Sequence, residues 1–161
     1  MKNTSRRLPH PSFRRCAFIS SDRNRHYTTS SSLSQVEGLI RSGYKHFISS
    51  GRPGLETDIA EAVIALRHAY SDILLEIVRV GSTTNTDILA TTQSLCEQAD
   101  IVTDLNHEPL LCTRTSDLYM ITNADMLLLF QDGSSTASED CNYALGLGIP
   151  VYDIDHSLTI S

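Results

Sequence analysis

Met126-Leu127-Leu128-Leu129-Phe130-Gln131-Asp132-Gly133-Ser134-Ser135-Thr136-Ala137-Ser138-Glu139 passes from an unbroken apolar block, through small polar residues, into a helix-like run ending at Ala144-Leu145-Gly146-Leu147-Gly148. A short continuous apolar block is the pattern of a parallel strand buried on both faces. Small polar residues then suit the opening of a helix. At such a junction free backbone N–H groups and the positive end of the helix dipole face one point, which suits a phosphate.

The same pattern recurs outward from this stretch. Cys16-Ala17-Phe18-Ile19-Ser20 reads as a strand, followed by a polar loop from Ser21 to Ser31 that holds Arg23, Arg25, His26 and Tyr27. Ser32 is placed to cap a helix that Gly43 stops, with Leu33, Val36, Leu39 and Ile40 on one face. Tyr44 to Ser49 reads as a second strand and Ser50-Gly51-Arg52-Pro53-Gly54 as a dense turn. Ile59, Val63, Leu66 and Tyr70 recur at helical spacing, which predicts a helix from Leu55 or Glu56 to Tyr70. Further strands are expected over 73–78, 100–104, 126–130 and 149–154, and helices over 86–99, 115–123 and 136–147.

Strand and helix alternating in this way imply a parallel sheet with helices on both faces. The expected fold is therefore one α/β, three-layer Rossmann-like domain with a mainly parallel sheet over residues 16–161. Residues 1–15 are expected to form a flexible arm. Lys2, Arg6, Arg7, Arg14 and Arg15 give it an acid-free, transit-peptide-like composition, but no apolar helical face accompanies them and Pro9 and Pro11 interrupt a helix. Ligands bind such sheets at the carboxyl ends of the strands, where the strand order reverses. Three loops are expected to converge there: Ser20–Asp22, Ser49–Glu56 and Asp132–Thr136.

Composition narrows the function classes. A net charge of −6 with no basic stripe after residue 15 gives no support for nucleic acid as a partner. No apolar run approaches the roughly 20 residues that span a bilayer, so no membrane partner is expected. The four cysteines form no Cys-x-x-Cys pair, a pattern of reduced cytoplasmic thiols. The six histidines show no ligand spacing, and neither a metal nor a cofactor is expected.

Phe47-Ile48-Ser49-Ser50-Gly51-Arg52-Pro53-Gly54-Leu55-Glu56, then Ala60-Glu61-Ala62-Val63, resembles the YpsA-like branch of the SLOG superfamily, which is related to the lonely-guy phosphoribohydrolases and DprA. Tyr70-Ser71-Asp72-Ile73, Tyr119-Met120, Ala124-Asp125-Met126-Leu127-Leu128, Tyr143-Ala144 and Gly148-Ile149-Pro150-Val151 continue the likeness in order over about residues 16 to 155. Ser50 stands where that branch has a glycine, and Glu56 where it has an aspartate. The resemblance implies a Rossmann-like sensor or binding domain for a nucleotide or nucleotide-derived small molecule, and a homodimer. It also implies a second possibility, cleavage of an N-glycosidic bond in a nucleoside monophosphate. For that chemistry the loop Asp132-Gly133-Ser134-Ser135-Thr136-Ala137-Ser138-Glu139 matches the phosphoribohydrolase loop at Thr136 and Glu139. The arginine that those enzymes carry before it is met by Ser116, with Arg114 two places earlier.

Candidate ligand contacts are Ser20, Ser21, Ser50, Gly51, Arg52, Gly54, Glu56, Asp132, Gly133, Ser134, Ser135 and Thr136. Serine and threonine supply hydroxyl and backbone donors to phosphate or ribose, although the same residues serve as ordinary helix caps. Gly51 and Gly54 let backbone approach a ligand or simply make a tight turn. Glu56 can hold a ribose hydroxyl or sit at a helix N-terminus, and Arg52 can meet an anion or solvent. Glu139, with Arg114, would carry any hydrolysis by steadying an oxocarbenium-like centre or activating water. A third possibility is a degenerate domain that serves as a protein-interaction module.

Overall fold

The computed structural model describes residues 14–20, 26–79, 86–105, 113–130, 135–153 and 159–160. Its strands are Arg14–Ile19 (β1), His26–Tyr27 (β2), Tyr44–Ser49 (β3), Leu74–Arg79 (β4), Ile101–Asp104 (β5), Met126–Leu129 (β6), Val151–Asp153 (β7) and Thr159–Ile160 (β8). Its helices are Thr29–Arg41 (α1), Leu55–Leu66 (α2), Thr86–Gln98 (α3), Thr113–Thr122 (α4) and Ser135–Gly146 (α5). Six strands form one sheet in the order β5-β4-β3-β1-β6-β7, with every neighbouring pair parallel. The α/β, Rossmann-like expectation is met. Among the described residues no helix is long and apolar enough to cross a membrane.

β1 lies at the centre. Cys16 stands opposite Phe47 on one side and Met126 on the other, and Ile19 stands opposite Leu129. Alternate side chains of each strand enter different cores, as the two-residue period of a strand requires. Cys16, Phe18, Phe47, Leu75, Ile77 and Leu128 pack with Val36, Ile59, Val63 and Leu95 of α1, α2 and α3. Ala17, Ile19, Ile48, Val78, Leu127 and Leu129 pack with Met120, Ile121 and Ala144 of α4 and α5. Two-sided burial explains why the strands read as continuous apolar blocks. Each fully buried leucine or isoleucine contributes about 1.5–3 kcal/mol.

From β1 the chain steps outward through β3, β4 and β5, then returns to place β6 on the opposite side of β1. The strand order therefore reverses between β1 and β6, where open α/β sheets bind ligands.

Several boundaries differ from expectation for local reasons. Strand β1 begins at Arg14, within the span read as an arm, because the backbone of Arg15 exchanges hydrogen bonds with Asp125, N–H to Oδ2 at 2.8 Å and carbonyl to N at 2.8 Å. Helix α1 starts at Thr29, capped by Thr28 and not by Ser32, since Thr28 Oγ1 accepts the Ser31 N–H at 3.1 Å. Ser32 is buried and its hydroxyl donates to the Thr28 carbonyl. Regular helix in α2 ends at Leu66, while the phenol of Tyr70 donates to Glu37 Oε2 at 3.0 Å. The loop read over 21–31 contains β2, which pairs antiparallel with β8.

Candidate functional site

The site grows from the carboxyl ends of β1 and β3. Both strands are buried to their last residue, and the backbone leaving them needs polar partners. Ser20 and Ser50 follow the two strands, and both are buried. Between Ser49 and Leu55 the chain reverses direction with Gly51 at φ 70° and Gly54 at φ 101°. Gly54 combines φ 101° with ψ −138°, a conformation open to glycine alone.

The turn satisfies its own donors. Ser49 Oγ accepts the Gly51 N–H at 3.0 Å and donates to the Glu56 carbonyl at 3.2 Å. Thr57 Oγ1 donates to the Arg52 carbonyl at 2.7 Å, and the Thr57 N–H donates to the same oxygen at 3.2 Å. Together these bonds hold the first turn of α2 on the end of β3.

Glu56 is the hub. It is 1% exposed, and one carboxylate oxygen accepts the Ser20 N–H at 3.1 Å and Arg52 Nε at 2.9 Å. Its other oxygen accepts the Ser50 hydroxyl at 2.6 Å and the Ser50 N–H at 3.3 Å. Arg52 Nη2 continues to Asp117 Oδ1 at 2.7 Å, reaching α4 in the opposite helical layer. Asp117 is as buried as Glu56. Burial opposes the Arg52 charge, but the two carboxylates outweigh it and hold the guanidinium above its ordinary pKa. Glu56 and Arg52 together thus tie the ends of β1 and β3 to α2 and α4 at the switch-point end of the sheet.

Ser20, Ser50, Gly51, Arg52, Gly54 and Glu56 are thereby brought into one cluster. Thr136 is half-buried in α5, and Glu139 is exposed one turn further along that helix. Arg114 and Ser135 lie in the first turns of α4 and α5. Ser21, Asp132, Gly133 and Ser134 lie outside the described residues. Asp117 was not anticipated: it follows Ser116 in a helix of weak apolar pattern, and nothing local marks it. The Arg52–Glu56 ion pair has a visible signature, since the two charges are four residues apart across a helix start.

Two other polar groupings stand apart. His46 Nε2 lies 2.9 Å from Glu76 Oε1, and Glu76 Oε2 accepts the Thr103 hydroxyl at 2.6 Å and the Tyr119 hydroxyl at 3.2 Å. A cavity of about 120 Å³ between α1 and α2 is lined in part by Tyr27, Ser32, Leu33, Asp58 and Glu61. Among the described residues, no three His, Cys, Asp or Glu side chains come together as a metal site.

No curated protein matches the chain. Among solved structures, the carboxyl transferase domain of Rhizobium etli pyruvate carboxylase with pyruvate aligns at 13% identity and a TM-score of 0.33. The alignment covers 79% of this chain and 24% of that one. The model of the YpsA family, described as the YspA SLOG family, matches residues 10–146. That span takes in every strand of the sheet but β7, together with the Glu56–Arg52–Asp117 cluster, and the chain belongs to the YpsA SLOG family.

Proposed function

We propose that this protein binds a nucleotide or nucleotide-derived small molecule, as a sensor or binding domain. The observation that carries the reading is the buried cluster of Ser20, Ser50, Gly51, Arg52 and Glu56 at the carboxyl ends of β1 and β3. It stands beside the reversal of strand order between β1 and β6. A buried ionic and hydroxyl-rich cluster adds little stability over apolar packing, so its position at the sheet's ligand-binding edge argues for recognition. The loop from Asp132 to Thr136 and the start of α5 complete the proposed pocket. A cytoplasmic location and pairing into a homodimer belong to the same proposal. Leu145 on α5, Leu147 in the turn after it and Tyr152 on β7 are exposed and support pairing, and sedimentation velocity tests it.

The test is a thermal-shift screen against AMP, ADP-ribose, NAD and cyclic nucleotides. A ligand held only by the folded state, at about 100 times its dissociation constant, contributes about 2.7 kcal/mol. At least one such ligand is expected to raise the midpoint, and Gly54→Val is expected to abolish the shift. Chromatography of the incubated ligand for released base separates binding from N-glycosidic hydrolysis through Glu139 and Arg114. No shift with any nucleotide would turn the reading toward a protein-interaction module.

A further inference from the structure

The Arg52 guanidinium is engaged unevenly. Nε and Nη2 both reach Glu56 Oε2, at 2.9 and 2.8 Å, and Nη2 also reaches Asp117 Oδ1 at 2.7 Å. Nη1 has no hydrogen-bond partner among the described residues, and it is not among the fully buried polar atoms. The side chain retains 15% exposure, against 1% for both carboxylates it holds.

A guanidinium recognises phosphate best through a fork of two parallel N–H groups. The fork made by Nε and Nη2 is closed on Glu56. The fork made by Nη1 and Nη2 is broken, because Nη2 donates to Asp117. What remains is Nη1, rigidly held, on a group whose charge two carboxylates already answer. Such a donor suits a single neutral oxygen or nitrogen acceptor. A second observation agrees. The N–H groups of Ser20 and Ser50, which form an anion cradle at this strand end, are already turned onto Glu56. The protein's own carboxylate fills the place a phosphate would take.

On the nucleotide-binding reading above, we infer that Arg52 Nη1 meets the nucleoside part of the ligand and not its phosphate. Glu56 and Asp117 are positioning residues that aim it. Selectivity for base or sugar is then set at the β3 end of the pocket, and phosphate recognition lies elsewhere.

The test is isothermal titration of the full chain with the four ribonucleosides, their 5′-monophosphates and inorganic phosphate. Wild type is compared with Arg52→Lys and Asp117→Asn. Loss of one charge-assisted hydrogen bond predicts about a tenfold weaker nucleoside for Arg52→Lys. Asp117→Asn should weaken the nucleoside in the same direction by a smaller factor. Each monophosphate should weaken by the same factor as its nucleoside, while affinity for inorganic phosphate stays unchanged. Loosening of the fold would weaken all three probes together, and an arginine on the phosphate would weaken the phosphate. Either result overturns the inference, as does an unchanged nucleoside. The two variants disturb the cluster differently, and whichever keeps the wild-type circular dichroism decides the matter. If wild type binds none of these probes, the nucleotide reading fails first and takes the inference with it.

Discussion

His46 and Glu76 sit side by side on β3 and β4, Nε2 to Oε1 at 2.9 Å, with side chains only 4% and 7% exposed. Burial alone would drive the carboxyl toward its neutral form. Hydrogen bonds from His46, Thr103 and Tyr119, with the nearby imidazole charge, prevail and hold it below its ordinary value of 4.5. The unfolded chain therefore takes up this proton more readily than the folded one. The stability this gives is whole above pH 4.5 and is lost as the pH falls through the folded value. Glu76→Gln is expected to lower stability at neutral pH by about 3 kcal/mol. It should also flatten the acid side of the stability curve. Urea midpoints taken from neutral to acid pH check this, and parallel curves for the two proteins would refute it.

The two positive-φ glycines of the β3–α2 turn should respond unequally to a methyl group. At Gly51 the new Cβ would lie 3.2 Å from Leu95 Cδ1, the movable end of a side chain. Gly51→Ala is expected to lower stability by about 1 kcal/mol, mostly as left-handed backbone strain. At Gly54, φ 101° with ψ −138° has no comfortable counterpart for alanine, and a loss of about 2–3 kcal/mol is expected. Thermal melts of the two variants give the order directly.

Removing the cation from the Glu56–Arg52–Asp117 cluster leaves two carboxylates 1% exposed and unanswered by that guanidinium. Arg52→Met is expected to lower stability by about 3–5 kcal/mol. Arg52→Met combined with Glu56→Gln and Asp117→Asn should be more stable than Arg52→Met alone. Chemical denaturation measures both, and a triple variant weaker than the single one would show that the charges are not the source of the effect.

Burial pushes the Cys16 thiol up to about 12, and its sulfur donates weakly to the Ala17 carbonyl at 3.7 Å. Thiolate is the reactive form. Iodoacetamide at mildly alkaline pH should leave Cys16 unmodified in the native protein and label it fully in denaturant, as read by peptide mass mapping. Native labelling at a rate near that of a free thiol would contradict this.

Much of this architecture is legible in the residues, and the exceptions have physical causes. Met126 to Leu129 is apolar on both faces because both faces are covered, so a single block announces a central strand. β2 and β8 escape notice because each is two residues long and has no periodicity to read. Ser32 looks like a helix cap by type, but Thr28 does that work four residues earlier. At the site, Gly51, Gly54 and Glu56 are visible as a turn feeding a helix. Asp117 is not, because it joins Arg52 across 65 residues of chain. Long-range ion pairs leave no local pattern.

The central place of β1 also shapes how the molecule assembles. Its pairing with β3, and of β3 with β4 and β4 with β5, draws on residues 14 to 104, whereas its other edge waits for Met126. A chain emerging from the ribosome can therefore form a four-stranded half-sheet with the β1 edge still bare. Parallel pairing between segments so distant in sequence is slow, and an apolar edge left open invites pairing between chains. Arrival of β6 closes that edge, and the exchange between Arg15 and Asp125 fastens its first end.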